Sequence, residues 1–229
     1  MSKEYVYSDY TYNSKNPLVR FSHRKRFSTA LNLISKEKFE NLLDYGAGDG
    51  HFLNELSNVK PNVELAGFEP IMHNTDSEKI KFHLNLSDIK NQKYDVITCF
   101  EVLEHFNLNG QDEILGNIHN LLNKNGTVVI SVPIEIYFPS LIKNVIRIKY
   151  TKLDFKYIKN ILKAAFARDI PEIRNEDGYI STHLGFNHKK LEGLFKKHFK
   201  IVGKIKSPLK WLPISANSQV FYKLEKKNK

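Results

Sequence analysis

The stretch Leu42-Leu43-Asp44-Tyr45-Gly46-Ala47-Gly48-Asp49-Gly50 decides the fold of this chain. Residues 41–45 form a short apolar run, which predicts a buried strand, and the apolar positions of 51–59 recur at the spacing of a helix. Glycines at every second position join the two elements. A glycine turn lets the backbone approach a ligand, because no Cβ stands in the way. The stretch therefore predicts a strand, a ligand-binding turn and a helix.

The alternation of strands and helices continues beyond this unit. An amphipathic helix is predicted over 112–123. Further apolar runs predict strands over 63–69, 80–84, 94–100 and 126–132. Strands that alternate with helices favour right-handed crossovers and a mostly parallel sheet. We therefore expect an α/β fold with a core over residues 41–133.

The segments outside this core are predicted to complete a single domain of 229 residues. For residues 1–40 we expect an N-terminal helical cap with one helix from Pro17 to Ile34. The alternation breaks after residue 133, and residues 134–185 predict a helical lid insertion. Residues 186–229 predict a C-terminal helix followed by a pair of strands.

Charge is distributed unevenly along the chain. Lys and Arg number 8 against 4 Asp and Glu in residues 1–40, 6 against 13 in 41–133, and 21 against 8 in 134–229. The acidic core suits a cationic ligand, and the basic C-terminal part suits an anionic substrate, a membrane surface or a nucleic acid. A single cysteine excludes an internal disulfide, and no run is long enough to span a membrane. We expect a cytoplasmic protein, with peripheral contact at the inner membrane surface as the alternative to free diffusion.

The charges around the glycine turn select the kind of ligand. A dinucleotide fingerprint has the pattern G-x-G-x-x-G, whereas here the third glycine comes one residue early. Asp44 and Asp49 flank the turn, and carboxylates repel a pyrophosphate but attract an ammonium or a sulfonium. Glu69 ends the second predicted strand, where a carboxylate can accept both ribose hydroxyls of an adenosine. Asp88 is a third acidic candidate.

Three segments resemble motifs of the class I S-adenosylmethionine-dependent methyltransferases. Residues 42–50 resemble their motif I, 94–105 resemble their fourth motif, and 121–127 resemble their LLKPGG turn. The resemblance implies a Rossmann-like, seven-stranded, mostly parallel sheet with helices on both faces and an antiparallel final strand. It also implies S-adenosylmethionine as the methyl donor. The subtype that it suggests is a bacterial methyltransferase of glycans or small molecules.

The same resemblance implies a set of cofactor contacts. The glycine turn would contact the methionine moiety, Glu69 the ribose, and residues near Asp88 the adenine. The expected contacts are Asp44, Tyr45, Gly46, Ala47, Gly48, Glu69, Pro70, Asp88, Ile89, Phe100 and Glu101. The sequence departs from the family where Pro-Ile-Met follows Glu69, which alters the usual start of the ribose-side helix.

The acceptor side is predicted to lie just after the fourth strand, because ligands bind at the carboxyl edge of such sheets. In the favoured, metal-free interpretation, His105, His183 and Glu104 are the catalytic residues, with His105 as general base or orienting group. In another, Glu101, Glu104, His105 and His183 hold a divalent metal that acidifies an acceptor hydroxyl. The pattern E-x-x-E-H over residues 101–105 resembles the small-RNA 2′-O-methyltransferases in this respect. In a third, Glu104 and His105 only shape a loop.

The predicted lid carries a basic stripe on one helix face, at Lys149, Lys152, Lys156, Lys159 and Lys163. Residues 140–166 have three interpretations: a solvated helical face, an interfacial helix on an anionic membrane, which the apolar opposing face would suit, and a nucleic-acid clamp, which we favour less. We expect O-methylation of a sugar or another small acceptor, which can be anionic or lipid-linked. The alternatives are a metal-dependent RNA 2′-O-methyltransferase and a catalytically silent scaffold that binds S-adenosylmethionine.

Overall fold

The computed structural model describes residues 17–71, 76–136 and 186–227. These residues form a seven-stranded sheet covered by helices. In chain order the elements are α1 (Pro17–Ile34), β1 (Asn41–Tyr45), α2 (His51–Val59), β2 (Glu64–Phe68), β3 (Ile80–His83), β4 (Tyr94–Phe100), α3 (Leu108–Leu121), β5 (Leu122–Pro133), α4 (His188–His198), β6 (Phe199–Ser207) and β7 (Gln219–Lys226).

The strand order in the sheet is β3-β2-β1-β4-β5-β7-β6. Strands β1 to β5 pair in parallel, while β7 runs antiparallel to both β5 and β6. The carboxyl ends of β1 to β6 therefore meet at one edge, which we call the carboxyl edge. The strand order reverses between β1 and β4, and ligands bind in the crevice at such a point. The expected Rossmann-like sheet with an antiparallel final strand is confirmed.

Alternate residues of the central strands supply two separate cores, because neighbouring side chains of a strand point to opposite faces. Leu43 and Ile97 belong to the core under α3 and α4, and Leu42 and Val96 to the core under α1 and α2. The helices contribute Ile114, Leu115, Ile118, Leu191 and Phe195 to the first core and Ala30, Ile34, Phe52, Leu53 and Leu56 to the second. Helices thus cover both faces and hold the carboxyl edge in place.

The boundary between α3 and β5 differs from the sequence prediction. Helix α3 begins at Leu108 because Asn107 caps it, its side chain accepting the Gly110 N–H at 2.8 Å. The prediction that this helix reaches Asn123 is wrong, since β5 already begins at Leu122 and pairs there with β4. The Asn123 amide donates to Asp95 Oδ1 at 2.7 Å. Pairing with β4 therefore overrides the helical pattern at this point.

Most other element bounds agree with the sequence. Helix α1 has the predicted bounds. Of the predicted lid, the structure describes residues 134–136; Ile134 and Ile136 are buried in the core, and the Ile134 N–H donates to the Ser218 carbonyl at 2.9 Å. His183 and the basic stripe of 140–166 lie outside the described residues. Within the described ranges, no helix is long and apolar enough to cross a membrane.

Candidate active site

The glycine turn after β1 has left-handed backbone at Gly46, Gly48 and Gly50, with φ of 84°, 55° and 72°. The N–H groups of Gly46 and Ala47 both donate to the Phe68 carbonyl, at 2.8 and 3.1 Å, so the turn is tied to the end of β2. A Cβ added at Gly46 would lie 2.3 Å from Val102 Cγ2. One added at Gly48 would meet no described atom within 4 Å. The turn is therefore closed at Gly46 and open at Gly48.

This difference predicts unequal effects of alanine at the two glycines. Gly48→Ala should lower the free energy of unfolding by about 1–2 kcal/mol, the cost of left-handed backbone in an L-residue. Gly46→Ala should cost about 1–3 kcal/mol more, because Val102 must also move. Gly193→Ala, at an exposed and unobstructed position in α4, is the control and should be neutral or stabilising. Urea unfolding of the three variants measures this, and equal losses at Gly46 and Gly48 would contradict the geometry.

Glu69 connects the end of β2 to the glycine turn. Its Oε2 accepts the Gly48 N–H at 2.9 Å, and its Oε1 accepts the Ile71 N–H at 3.0 Å. Each carboxylate oxygen retains a second lone pair, so further hydroxyl donors can be accepted. The carboxylate thus lies beside the open part of the turn.

Asp44 is a buried carboxyl at the base of the turn, with 3% of its surface exposed. The Thr98 hydroxyl donates to Asp44 Oδ1 at 2.6 Å. Burial raises the pKa of Asp44 to about 7, and the negative charge of Glu69 adds to this, whereas the Thr98 hydrogen bond lowers the pKa. A carboxyl that gains or loses its proton near neutral pH therefore lies under the glycine turn.

The other predicted contacts of the turn point their side chains inward. The Tyr45 ring is buried 4.8 Å from the Phe68 ring, measured between centroids, and Ala47 is also buried. Asp49 Oδ1 accepts the His51 N–H at 3.2 Å at the start of α2. The turn consequently offers a ligand its backbone rather than these side chains.

The predicted adenine side follows β2 and β3. Pro70 and Asp88 are exposed, and Asp88 Oδ1 accepts the Ser87 hydroxyl at 3.2 Å. The Ile89 side chain, in contrast, is fully buried in the core under α3. Asp88 thus has a side chain at the surface near the carboxyl edge, and Ile89 does not.

The end of β4 is held by residues that lie far away in the sequence. Glu101 has left-handed backbone with φ of 56°, and the Ser131 hydroxyl donates to its Oε1 at 3.2 Å. Arg26 Nη1 of α1 lies 3.7 Å from Glu101 Oε2, and both side chains are largely buried. The Phe100 ring packs in the core against Phe52 at 4.9 Å between centroids. Sequence reasoning missed Arg26 as a site residue, although a basic cluster interrupting the apolar pattern of α1 was a usable signal.

Glu104 and His105 lie in a single 3-10 turn after β4. The Gln111 side-chain amide donates to the Leu103 carbonyl at 3.0 Å and to the Phe106 carbonyl at 2.9 Å, which fixes this turn. Glu104 is 2% exposed, whereas His105 is partly exposed. The structure therefore brings Glu101, Glu104 and His105 together at the carboxyl edge.

Burial raises the pKa of the Glu104 carboxyl well above its usual range, and the negative charge of Glu101 raises it further. Glu135 acts in the same direction, while the Arg26 guanidinium opposes it. Among the described residues, two carboxylates and one guanidinium thus act on the Glu104 carboxyl near the end of β4. Across 17–71, 76–136 and 186–227, no three His, Cys, Asp or Glu residues are placed to hold a metal ion, and His183 lies outside these ranges. The metal hypothesis stays a prediction.

A family profile described as "Methyltransferase domain" matches residues 20–166, well over half of the chain. The chain belongs to this methyltransferase family. It is an S-adenosylmethionine-dependent methyltransferase of class I, as its sheet order and its glycine turn also indicate. No curated protein sequence matches the chain significantly.

Solved methyltransferase structures share the fold. The N-methyltransferase NodS from Bradyrhizobium japonicum WM9, in complex with S-adenosylhomocysteine, is 13% identical, with a TM-score of 0.57 over 93% of this chain and 90% of that one. The 1,6-didemethyltoxoflavin-N1-methyltransferase of Burkholderia thailandensis is 14% identical, with a TM-score of 0.58 over 97% of this chain and 86% of that one. At such low identity these likenesses establish the fold alone.

The residues at the turn fit S-adenosylmethionine. An added Cβ at Gly48 finds open space, so a ligand can approach the backbone there. The buried carboxyl of Asp44 suits a cationic group, and the Glu69 carboxylate suits the two hydroxyls of a ribose. When bound, the cofactor supplies a methyl group on a cationic sulfur.

Proposed function

We propose that this methyltransferase methylates a hydroxyl of a sugar or another small acceptor, and that Glu104 accepts the proton of that hydroxyl. The observation that carries the proposal is the buried Glu104 carboxyl, which lies at the carboxyl edge beside Glu101. A carboxylate with a raised pKa is a stronger base than one with an ordinary pKa. A carboxyl group with an ordinary pKa would be a much weaker proton acceptor at neutral pH.

Different residues of this chain act on the methyl donor and on the acceptor. The Gly46–Gly48 backbone and Glu69 would hold the donor, and the Asp44 carboxyl would balance the positive charge of its amino group. The bound donor would supply the methyl group, and Glu104 would take up the proton that the acceptor hydroxyl loses when its oxygen is methylated. His105 is adjacent and partly exposed, so it can pass that proton to solvent. Most of the rate enhancement comes from in-line positioning of the two substrates.

The acceptor that we favour carries negative charge or a lipid. The support is the basic composition of residues 134–229, which hold 21 Lys and Arg against 8 Asp and Glu. An anionic or lipid-linked glycan matches this charge, since a basic surface raises the local concentration of anionic substrates.

An amine is the second candidate acceptor. The observation in its favour is that the negative charges of Glu101 and Glu135 both act on the Glu104 carboxyl, and that among the described residues the opposing charge acting on it is the Arg26 guanidinium. Excess negative charge at the acceptor side would attract a protonated amine. NodS and the toxoflavin enzyme, by their names, are N-methyltransferases.

Matched acceptors distinguish these functions. We would measure transfer of isotope-labelled methyl to sugars and to the corresponding amino sugars, with and without EDTA, and to RNA. The proposal expects label on oxygen that persists in EDTA. Label on the amino group alone would favour the amine, EDTA-sensitive label on RNA would favour the metal-dependent RNA enzyme, and no transfer to any acceptor would favour a silent scaffold.

The raised pKa of Asp44 predicts that cofactor affinity depends on pH. Below about pH 7 the carboxyl is protonated, so binding of a cationic amino group must displace a proton. The affinity for S-adenosylhomocysteine should therefore fall as the pH drops below about 7, by at most about tenfold per pH unit, because one proton is exchanged. Calorimetric titrations at several pH values measure this.

Two variants control the assignment to Asp44. Asp44→Asn keeps the side-chain volume and an acceptor for Thr98, and it should bind weakly with little pH dependence. Asp49→Asn, on the other flank of the turn, should keep the pH dependence of the unmodified chain. If Asp44→Asn keeps it as well, another group is responsible.

A further inference from the structure

A basic groove of about 430 Å³ lies between α1 and the β6–β7 hairpin. The lysines that line it are Lys25, Lys36, Lys206, Lys210 and Lys223. Among its lining residues the one acidic side chain is Glu37, which accepts a hydrogen bond from Lys223 Nζ at 2.6 Å. The groove therefore carries a clear excess of positive charge that this ion pair does not neutralise.

The topology places one end of this groove at the carboxyl edge. Strand β6 points the same way as β5, so residues 208–218, which follow it, lie at that edge. Ser218 of this connection accepts the Ile134 N–H directly after β5. Helix α1 reaches the same edge, because Arg26 contacts Glu101 at the end of β4. Lys25 and Lys210 thus lie on the side of the protein where the acceptor enters.

An aromatic residue stands beside these lysines. Trp211, the single tryptophan of the chain, is 75% exposed in the β6–β7 connection. Phe21 is 48% exposed on α1, one helical turn before Lys25. Trp211 and Phe21 thus each place a large apolar side chain at the surface close in sequence to a lysine of the groove, Lys210 and Lys25.

Hydrogen bonds order the backbone of the β6–β7 connection that carries Trp211. The Asn217 amide donates to the Leu209 and Pro213 carbonyls, each at 3.0 Å, and its Oδ1 accepts the Leu209 N–H at 2.8 Å. Lys206 Nζ donates to the Leu212 carbonyl at 2.5 Å. Because the backbone that carries Trp211 is already ordered, binding through this connection costs less conformational entropy.

We propose that this lysine–tryptophan surface, formed by Lys25, Lys36, Lys206, Lys210 and Trp211, docks the enzyme on a bilayer with anionic headgroups. The lysines complement lipid phosphates, and a tryptophan beside them is the side chain most suited to the membrane interface. Single-stranded nucleic acids bind to a series of aromatic platforms. Among the described residues that line this groove there is no aromatic side chain, and Trp211 follows the lining residue Lys210 in the chain. The proposal goes beyond the methyl-transfer function and does not depend on which acceptor is used.

Intrinsic fluorescence tests the proposal directly, because all tryptophan emission comes from Trp211. The full chain is mixed with phosphatidylcholine vesicles, with vesicles that also contain phosphatidylglycerol, and with a single-stranded RNA. We expect a blue shift and protection from acrylamide quenching with the anionic vesicles only. Binding to these vesicles without any change in emission would place the contact elsewhere and overturn the proposal, as would a response to RNA alone.

Matched lysine variants test the electrostatic part. The double variant Lys25→Gln and Lys210→Gln should partition into anionic vesicles about 25-fold more weakly, which is about fivefold for each basic side chain near an anionic surface. Lys81→Gln with Lys90→Gln, exposed near the β3 edge of the sheet, removes the same charge elsewhere and should change partition by under about twofold. Unchanged thermal melting and S-adenosylhomocysteine affinity show that both variants fold. If the two double variants lost partition into anionic vesicles equally, net charge alone would explain the effect. That result would overturn the assigned surface.

Discussion

Replacing Glu104 with glutamine should lower the rate of turnover by about 10²–10⁴-fold, the usual contribution of a positioned general base. Glutamine keeps the size of the buried side chain and its place in the 3-10 turn, but it cannot take up a proton. Because the proposal places Glu104 on the acceptor side and the donor at the glycine turn, the affinity for S-adenosylhomocysteine should stay almost unchanged. Single-turnover rates and calorimetry measure the two quantities separately.

The pH profile adds a second readout to this prediction. Since the pKa of Glu104 is raised, the turnover of the unmodified enzyme should increase with pH as this carboxyl loses its proton. Glu104→Gln should lack that rise. His105→Gln is the companion variant, and it should lose less activity while keeping the rise. Full turnover in Glu104→Gln together with a large loss in His105→Gln would identify the imidazole as the base instead.

Replacing Glu69 with alanine should weaken S-adenosylhomocysteine binding by about 1–3 kcal/mol, the range for a lost hydrogen-bonded carboxylate. Two effects contribute. The ribose hydroxyls lose their acceptor, and the N–H groups of Gly48 and Ile71 lose the oxygens that now orient the turn. Glu69→Gln should recover only part of the affinity, because the amide supplies one acceptor oxygen where the structure uses two.

Glu64→Ala is the matched control for this prediction. Glu64 is exposed at the start of β2, at the opposite end of the strand from Glu69. Its removal should leave cofactor affinity and stability nearly unchanged. If Glu69→Ala bound S-adenosylhomocysteine as tightly as the unmodified chain, Glu69 would not belong to the donor site. The ribose would then have no assigned contact beside the glycine turn.

The donor side could be predicted from sequence because its signals are local. The apolar run of β1, the three glycines and Glu69 at the end of β2 lie within residues 41–69, and each has a short-range physical reason. The side-chain directions of Phe100 and Ile89 could not be predicted in the same way, since a family resemblance gives a residue's position but not the direction of its side chain. The structure packs the Phe100 ring against Phe52 and buries Ile89 in the core.

The proposed acceptor side depends on contacts between distant residues, which the sequence alone did not reveal. The Arg26–Glu101 pair joins α1 to the end of β4, and Ser131 reaches Glu101 from β5. The raised pKa of Glu104 arises from this packing and not from the E-x-x-E-H pattern. The premature end of α3 has a similar cause, because pairing of Leu122 with Tyr94 competes with the helix.

The most direct test of the account is a crystal structure of the chain with S-adenosylhomocysteine. The account predicts the amino-acid part of the ligand over Gly46–Gly48, with its amino group above Asp44. Both ribose hydroxyls should bond to Glu69, and the sulfur should face the 3-10 turn that carries Glu104. A ligand bound away from the glycine turn, or one whose sulfur points away from Glu104, would contradict it.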